Sequence, residues 1–182
     1  MLKIYTTLLC LIFFNLHAEI VKKIEVKGND RISIETIKVY GEITIGNDYS
    51  TFNVNEVLKN LYNTNFFEDV KISLVNGILN IAVKEYATIN SIDLQGEKSN
   101  TVKKSVLENL KLKPKESFIE NRLSEDISTI KKIYATIGFN FVNVDTKIEK
   151  FDDNRINLVY LLDKGKKTDI AQINFTGDKK VK

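Results

Sequence analysis

Three segments of this chain open alike, and the distance between them limits the fold more than any other feature. KKIEVKGND (22–30), NSIDLQGEK (90–98) and IAQINFTGDKKVK (170–182) each run Ile, polar, apolar, polar, Gly: Ile24, Val26 and Gly28; Ile92, Leu94 and Gly96; Ile173, Phe175 and Gly177. Alternation halted by glycine predicts a short strand stopped by a turn. The glycines lie 68 and 81 residues apart, long enough for one small domain per repeat and too long for a solenoid turn. The chain therefore reads as two complete modules, 19–86 and 87–164, and the first strand of a third in 165–182.

Residues 1–18, MLKIYTTLLCLIFFNLHA, carry one charge, Lys3, then an apolar run from Leu8 to Phe14, with Leu16 and Ala18 where a signal peptidase reads. This is the pattern of a secretory signal peptide cleaved after Ala18. The run falls short of the ~20 residues that span a bilayer. Cys10 follows Leu9 instead of the small residue a lipoprotein signal requires, so no lipid attachment is expected there. The only Cys, the only His (His17) and the only Met (Met1) all lie in this segment. Its removal leaves no imidazole, no thiolate and no disulfide. No cofactor is expected, and most routes to nucleophilic or metal catalysis close. The 43% hydrophobic content is adequate for unstapled cores.

The net charge is +3, with both signs interleaved along most of the chain. Basic clusters occur only at 164–167 (KGKK) and 179–182 (KKVK), which read as a linker and a turn. No basic stripe or aromatic platform for nucleic acid is present.

Within the first module, Ile34, Ile37 and Tyr40 fall at helical spacing behind Ser33 as cap. A second helix carries Val54, Val57, Leu58, Leu61 and Tyr62 as one stripe, with Asn53 and Glu56 expected to form a capping box and Asn65 to stop it. The period then drops to two. Val70, Ile72 and Leu74 share a face, as do Leu79, Ile81 and Val83, and Asn76-Gly77 between them is a strong hairpin signal. The second module repeats the order. One helix carries Val102, Val106 and Leu110; another carries Leu123, Ile127, Ile130 and Tyr134, with Ser117 and Glu120 as a possible box and Gly138 as its end. Val142, Val144, Thr146 and Ile148 alternate, 152–154 turn the chain, and Ile156, Leu158, Tyr160 and Leu162 alternate again. Val159 and Leu161 make that last strand apolar on both faces, which places it mid-sheet.

Each module is thus α+β, strand-helix-helix-strand-strand. A three-stranded mixed sheet in the order second, third, first carries both helices on one face. The second strand is left as an edge.

The I-x-[VLF]-x-G openings, NFFEDVKI (65–72), its counterpart GFNFVNV (138–144) and the export signal together resemble tandem POTRA domains, in the pattern of the BamA family. The resemblance covers residues 20–182. It implies a non-catalytic part, on the periplasmic face of the bacterial outer membrane, of the machinery that assembles β-barrel proteins. It further implies unfolded barrel proteins, periplasmic chaperones and assembly lipoproteins as partners, and a C-terminal barrel beyond this chain.

An unpaired edge strand offers main-chain groups that an extended peptide can complete. The expected docking positions are Val70, Lys71, Ile72, Ser73 and Leu74 in the first module, and Val142, Asn143, Val144, Asp145, Thr146 and Lys147 in the second. Only the outward backbone and polar side chains such as Lys71, Ser73, Asn143, Asp145 and Lys147 are expected to meet a partner. The apolar side chains, with Phe66, Phe67, Phe139 and Phe141, are expected in the core. Three alternatives stay open: a pure periplasmic scaffold, the POTRA region of a two-partner secretion transporter, and an enzyme built on a carboxylate pair or a Ser-Lys dyad, for which no positioning motif is found. A KH module would need a GxxG clamp that is absent.

Overall fold

The computed structural model describes residues 19–169 and 172–174, with Thr51 and Phe52 described by their backbone alone. The signal segment 1–18 lies outside the described residues, as do Phe175 and Gly177 of the third opening. The chain divides into two compact units, one ending at Glu85 and the other beginning at Tyr86.

The first unit contains β1 (Glu19–Ile20), β2 (Lys23–Lys27), α1 (Ile34–Tyr40), β3 (Asp48–Tyr49), α2 (Thr51–Asn63), β4 (Phe67–Val75) and β5 (Ile78–Glu85). Its main sheet runs β2-β5-β4, with β5 parallel to β2 and antiparallel to β4. Asn76 and Gly77 both have positive φ, 54° and 78°, as a two-residue primed turn requires. That turn pairs Leu74 with Leu79, Ile72 with Ile81 and Val70 with Val83, so all six apolar side chains fall on one face. Leu79, Ile81, Val83 and Val70 there join Ile37 of α1 and Val57 and Leu61 of α2 in one core.

The second unit contains β6 (Thr88–Gln95), α3 (Asn100–Asn109), α4 (Glu120–Thr136), β7 (Asn143–Lys150) and β8 (Arg155–Asp163). Its sheet runs β6-β8-β7, again with the last strand central, parallel to the first and antiparallel to the second. Ile156, Leu158, Tyr160 and Leu162 of β8 pack with Val106, Ile130 and Tyr134 from the helices. Both units are mixed α+β folds with a three-stranded mixed sheet, in the expected strand order.

The repeated glycine has a steric cause beyond the turn. Gly28 and Gly96 have φ of 80° and 91°, and a β-carbon on either would collide with the carbonyl of the central strand, at Val83 and Leu162 respectively. Only glycine permits that approach. These contacts also align the units: Val83 corresponds to Leu162, and their partners Val70 and Val144 correspond.

The helix starts depart from expectation twice. α2 begins two residues earlier than Asn53, with Ser50 as N-cap and Asn53 completing the capping box from inside. Glu56 has no part in it. α4 starts at Glu120 behind Ile119 with no side-chain cap, because Ser117 is drawn into an isolated bridge with Thr88. The sequence reading also missed the β1-β3 ribbon and the segment 110–118. Val21, directly after β1, and Leu112 of that segment are both fully buried.

Two stretches cover the outer side of the first strands. In the first unit, Val21 exchanges main-chain bonds with Gly46 and Asn47. In the second, Ile89 bonds Lys115 and Glu116 in the same manner. The outer edge is thereby paired just before β2 and at the start of β6.

Candidate functional site

The expected docking positions fall on β4 and, apart from Val142, on β7, each strand paired on one side only. In an antiparallel pair, residues alternate between exchanging both main-chain bonds with the partner strand and pointing them away. In the second unit, the Phe151 N–H donates to the Arg155 carbonyl at 2.9 Å, which closes the hairpin with a bonded pair. Counting back along the register, Val144, Thr146 and Ile148 face their N–H and C=O groups outward. In the first unit the two-residue turn is closed by Val75 and Ile78, so Val70, Ile72 and Leu74 face outward. In both units the residues whose side chains face the core present the main chain at the edge.

The first unit's edge is partly occupied. The Val70 N–H donates to the Tyr62 hydroxyl at 3.1 Å, and that hydroxyl donates to Asp69 Oδ1 at 3.2 Å. For Asp69, desolvation would raise the carboxyl pKa, but the Tyr62 hydroxyl and the Lys71 ammonium outweigh it and lower it. A register shift between Phe67 and Asp69 bulges the strand at the same place. Among the described residues, no other group meets the outward N–H groups of Ile72 and Leu74, nor those of Val144, Thr146 and Ile148.

The side chains of Lys71 and Ser73, and of Asn143, Asp145 and Lys147, lie on the sheet face opposite the helices, whereas Thr146 shares the face of Val144 and Ile148. Lys71 pairs with Asp69 at 3.4 Å and Lys147 with Glu149 at 2.8 Å. The Asn143 amide donates to Asp145. Lys71 and Ser73, with Glu25, Lys27, Asn80 and Ala82, border a shallow depression of about 260 Å³ on the first sheet. On the second sheet the corresponding face carries Val159, half-buried, and Leu161, 38% exposed.

Val142 is buried and precedes β7. Of the four phenylalanines expected in the core, Phe67 is buried and Phe66 and Phe139 pack against their cores. Phe141 does not: it is 80% exposed. The second unit has six residues from its left-handed stop at Gly138 to Val144 where the first has five from Asn65 to Val70, and the additional residue turns Phe141 outward.

Three buried carboxylates, none singled out by the sequence, fasten loops. Glu85 accepts the backbone N–H groups of Asp30, Arg31 and Ile32 and pairs with the Arg31 guanidinium at 3.2 Å. Asp126 accepts the N–H groups of Lys111 and Leu112 and the Tyr160 hydroxyl. Burial, then the neighbouring Asp126 carboxylate, pushes the Tyr160 hydroxyl well above its usual range. Glu97 accepts from the Ser99 N–H, the Tyr134 hydroxyl and Lys164. Burial alone would raise its pKa, but these three donors outweigh it and hold it at about 2. Each unit has an ion pair between the segment after its first strand and the end of its central strand, with reversed polarity: Arg31 with Glu85, and Glu97 with Lys164. All three carboxylates already have several donors, the arrangement of a structural clasp more than of a free general base.

Residues 87–165 match the POTRA family, described as surface antigen variable number repeat. The chain is 29% identical over 160 residues to the outer membrane protein assembly factor BamA of Neisseria meningitidis serogroup B (strain ATCC BAA-335 / MC58), covering 87% of this chain and 20% of that protein. It is 23% identical over 162 residues to BamA of Neorickettsia risticii (strain Illinois), covering 88% of this chain and 22% of that one. The chain thus spans about a fifth of the length of these curated relatives. In fold it resembles the N-terminal domain of Omp85 from Thermosynechococcus elongatus, with a TM-score of 0.51 at 15% identity over 79% of this chain and 63% of that one. The family match and the relatives agree with the POTRA resemblance read from the sequence, and the solved structure agrees with it in fold.

Proposed function

We propose that this chain is the periplasmic POTRA region of an outer membrane protein assembly factor, and that it works without catalysis, holding unfolded β-barrel proteins by adding their strands to its sheet edges. The reading is carried by one observation: β4 and β7 are edge strands whose outward main-chain groups, from Ile72 and from Val144 onward, meet no partner among the described residues. An extended client completes those groups whatever its side chains, which suits substrates that share a strand shape and little sequence. A few net bonds of about 1 kcal/mol each, set against the cost of association, give micromolar to millimolar contacts that release easily. Export by the leader, docking of chaperones and assembly lipoproteins, and a membrane barrel beyond this chain belong to the same proposal.

Site-directed crosslinking tests it. Crosslinkers at Lys71, Ser73, Asn143, Asp145 and Lys147 are expected to capture an extended barrel-strand peptide, while crosslinkers at Lys59 and Lys131 on the helices do not. Capture on the helices with the edges spared would refute strand addition.

A second reading, docking of folded partners on a scaffold, is favoured by the exposed Val39, Tyr40 and Ile45 at and after the end of α1. Val39 lines a depression of about 470 Å³ together with Glu35, Lys38, Glu42, Ile43 and Thr44. Retention of folded lipoproteins without affinity for unfolded barrels would support this reading instead.

A further inference from the structure

The two edges are not equivalent, and the difference traces to one side chain. Tyr62 lies in the last turn of α2, three residues before the left-handed Asn65, and its hydroxyl holds the outward N–H of Val70. The same place in α4, three residues before the left-handed Gly138, is Ala135. Alanine has no hydroxyl to offer. Val144, which corresponds to Val70, keeps its outward N–H uncapped among the described residues. The uncovered run in the first unit therefore begins at Ile72 and ends at the turn after Val75, whereas in the second it extends from Val144 through Ile148.

We propose that Tyr62 is a register-setting stop that shortens the docking edge of β4, so that an extended, alternating apolar-polar polypeptide settles preferentially on β7. This rests on the strand-addition reading above. A strand arriving at β4 pairs from Ile72 toward the turn and ends there, because its next carbonyl finds the Val70 N–H already bonded. To continue it must displace a hydroxyl that is also anchored on Asp69. The bulge between Phe67 and Asp69 bends the strand at the same point, so the stop coincides with the end of regular pairing. A strand on β7 meets no such obstacle, and each additional rung lengthens its stay. The two modules thus provide one weak and one stronger hold from nearly the same fold.

The test uses the chain from residue 19 onward, in wild-type form and with Tyr62→Phe, which removes the hydroxyl and keeps the ring. The probe is a synthetic peptide of about ten alternating apolar and polar residues, the length of a barrel strand. Amide hydrogen exchange is followed by NMR during titration. In the wild type, protection is expected at Val144, Thr146 and Ile148 at lower peptide concentration than at Ile72 and Leu74, with Val70 unchanged. In Tyr62→Phe, the Val70 amide exchanges faster in the free protein and becomes protected by peptide. The affinity of the first unit rises about three- to tenfold, the worth of one hydrogen bond. Unaltered unfolding midpoints check that the variant is folded. Edges that protect equally in the wild type, or a first unit indifferent to Tyr62→Phe, would overturn the inference and leave strand addition standing. Protection on neither edge would overturn both.

Discussion

Gly96 and Leu162 are in main-chain contact: a β-carbon on Gly96 would lie 3.0 Å from the Leu162 carbonyl carbon and closer still to its oxygen. The first strand of the second unit is pressed against the end of its central strand there, and the chain leaves the sheet with φ of 91°. The same relation joins Gly28 to Val83 in the first unit.

Gly96→Ala is therefore expected to destabilise the second unit, through both the unfavourable φ and the backbone collision. The cost is about 2–4 kcal/mol. Urea unfolding followed by tyrosine fluorescence measures it. Gly46→Ala is the control, since a β-carbon there meets nothing within 4 Å and only the backbone conformation is penalised.

Asp126→Ala removes the acceptor for the Lys111 and Leu112 N–H groups and the Tyr160 hydroxyl, all close to the core. Leaving such donors unpaired costs about 2–4 kcal/mol. Asp126→Asn retains one acceptor oxygen and is expected to cost less. Calorimetric midpoints of the two variants give the order.

Glu97 sets a pH limit. Its carboxyl lies at about 2 in the folded chain against an ordinary 4.5. A lowered folded pKa means that the unfolded chain takes up the proton first. The stabilisation is therefore complete above about pH 4.5, and is lost as pH falls toward 2. Unfolding midpoints between pH 6 and pH 2 are expected to fall less steeply in Glu97→Gln, which lacks the titration but starts from lower stability.

Phe141→Ser changes a side chain with 80% of its surface in water. Stability is expected to stay within about 0.5 kcal/mol of the parent. Peptide affinity is expected to drop, because the ring adjoins the start of the β7 edge and offers apolar surface to an arriving strand. Isothermal titration with the same alternating peptide reads the difference.

The strand order and the first hairpin's register were legible from alternation, glycine spacing and the Asn76-Gly77 turn, since a one-residue slip would expose Val70, Ile72 and Leu74 together. Helix stops at Asn65 and Gly138 were legible for the same local reason, a residue able to adopt positive φ. What escaped was non-local. Nothing near Tyr62 in sequence announces that its hydroxyl reaches Val70, and an Asp within a helix such as Asp126 reads as solvated until α4 is packed over Lys111 and Leu112. Ser117 has the residue type of a helix cap, yet pairing with Thr88 takes it elsewhere. Phe141 misled because the pattern around it matches 65–72 until one additional residue shifts the phase.

Strand addition depends on main-chain hydrogen bonds, so the most direct measurement compares one alternating peptide with two forms of it, each N-methylated along one of its two edges. If the free rungs of β4 and β7 hold the peptide, methylation along the pairing edge lowers affinity about tenfold or more, while side chains and length stay the same. Equal affinity for all three peptides would contradict the proposal, because it would mean that the backbone is not what the sheet edges recognise.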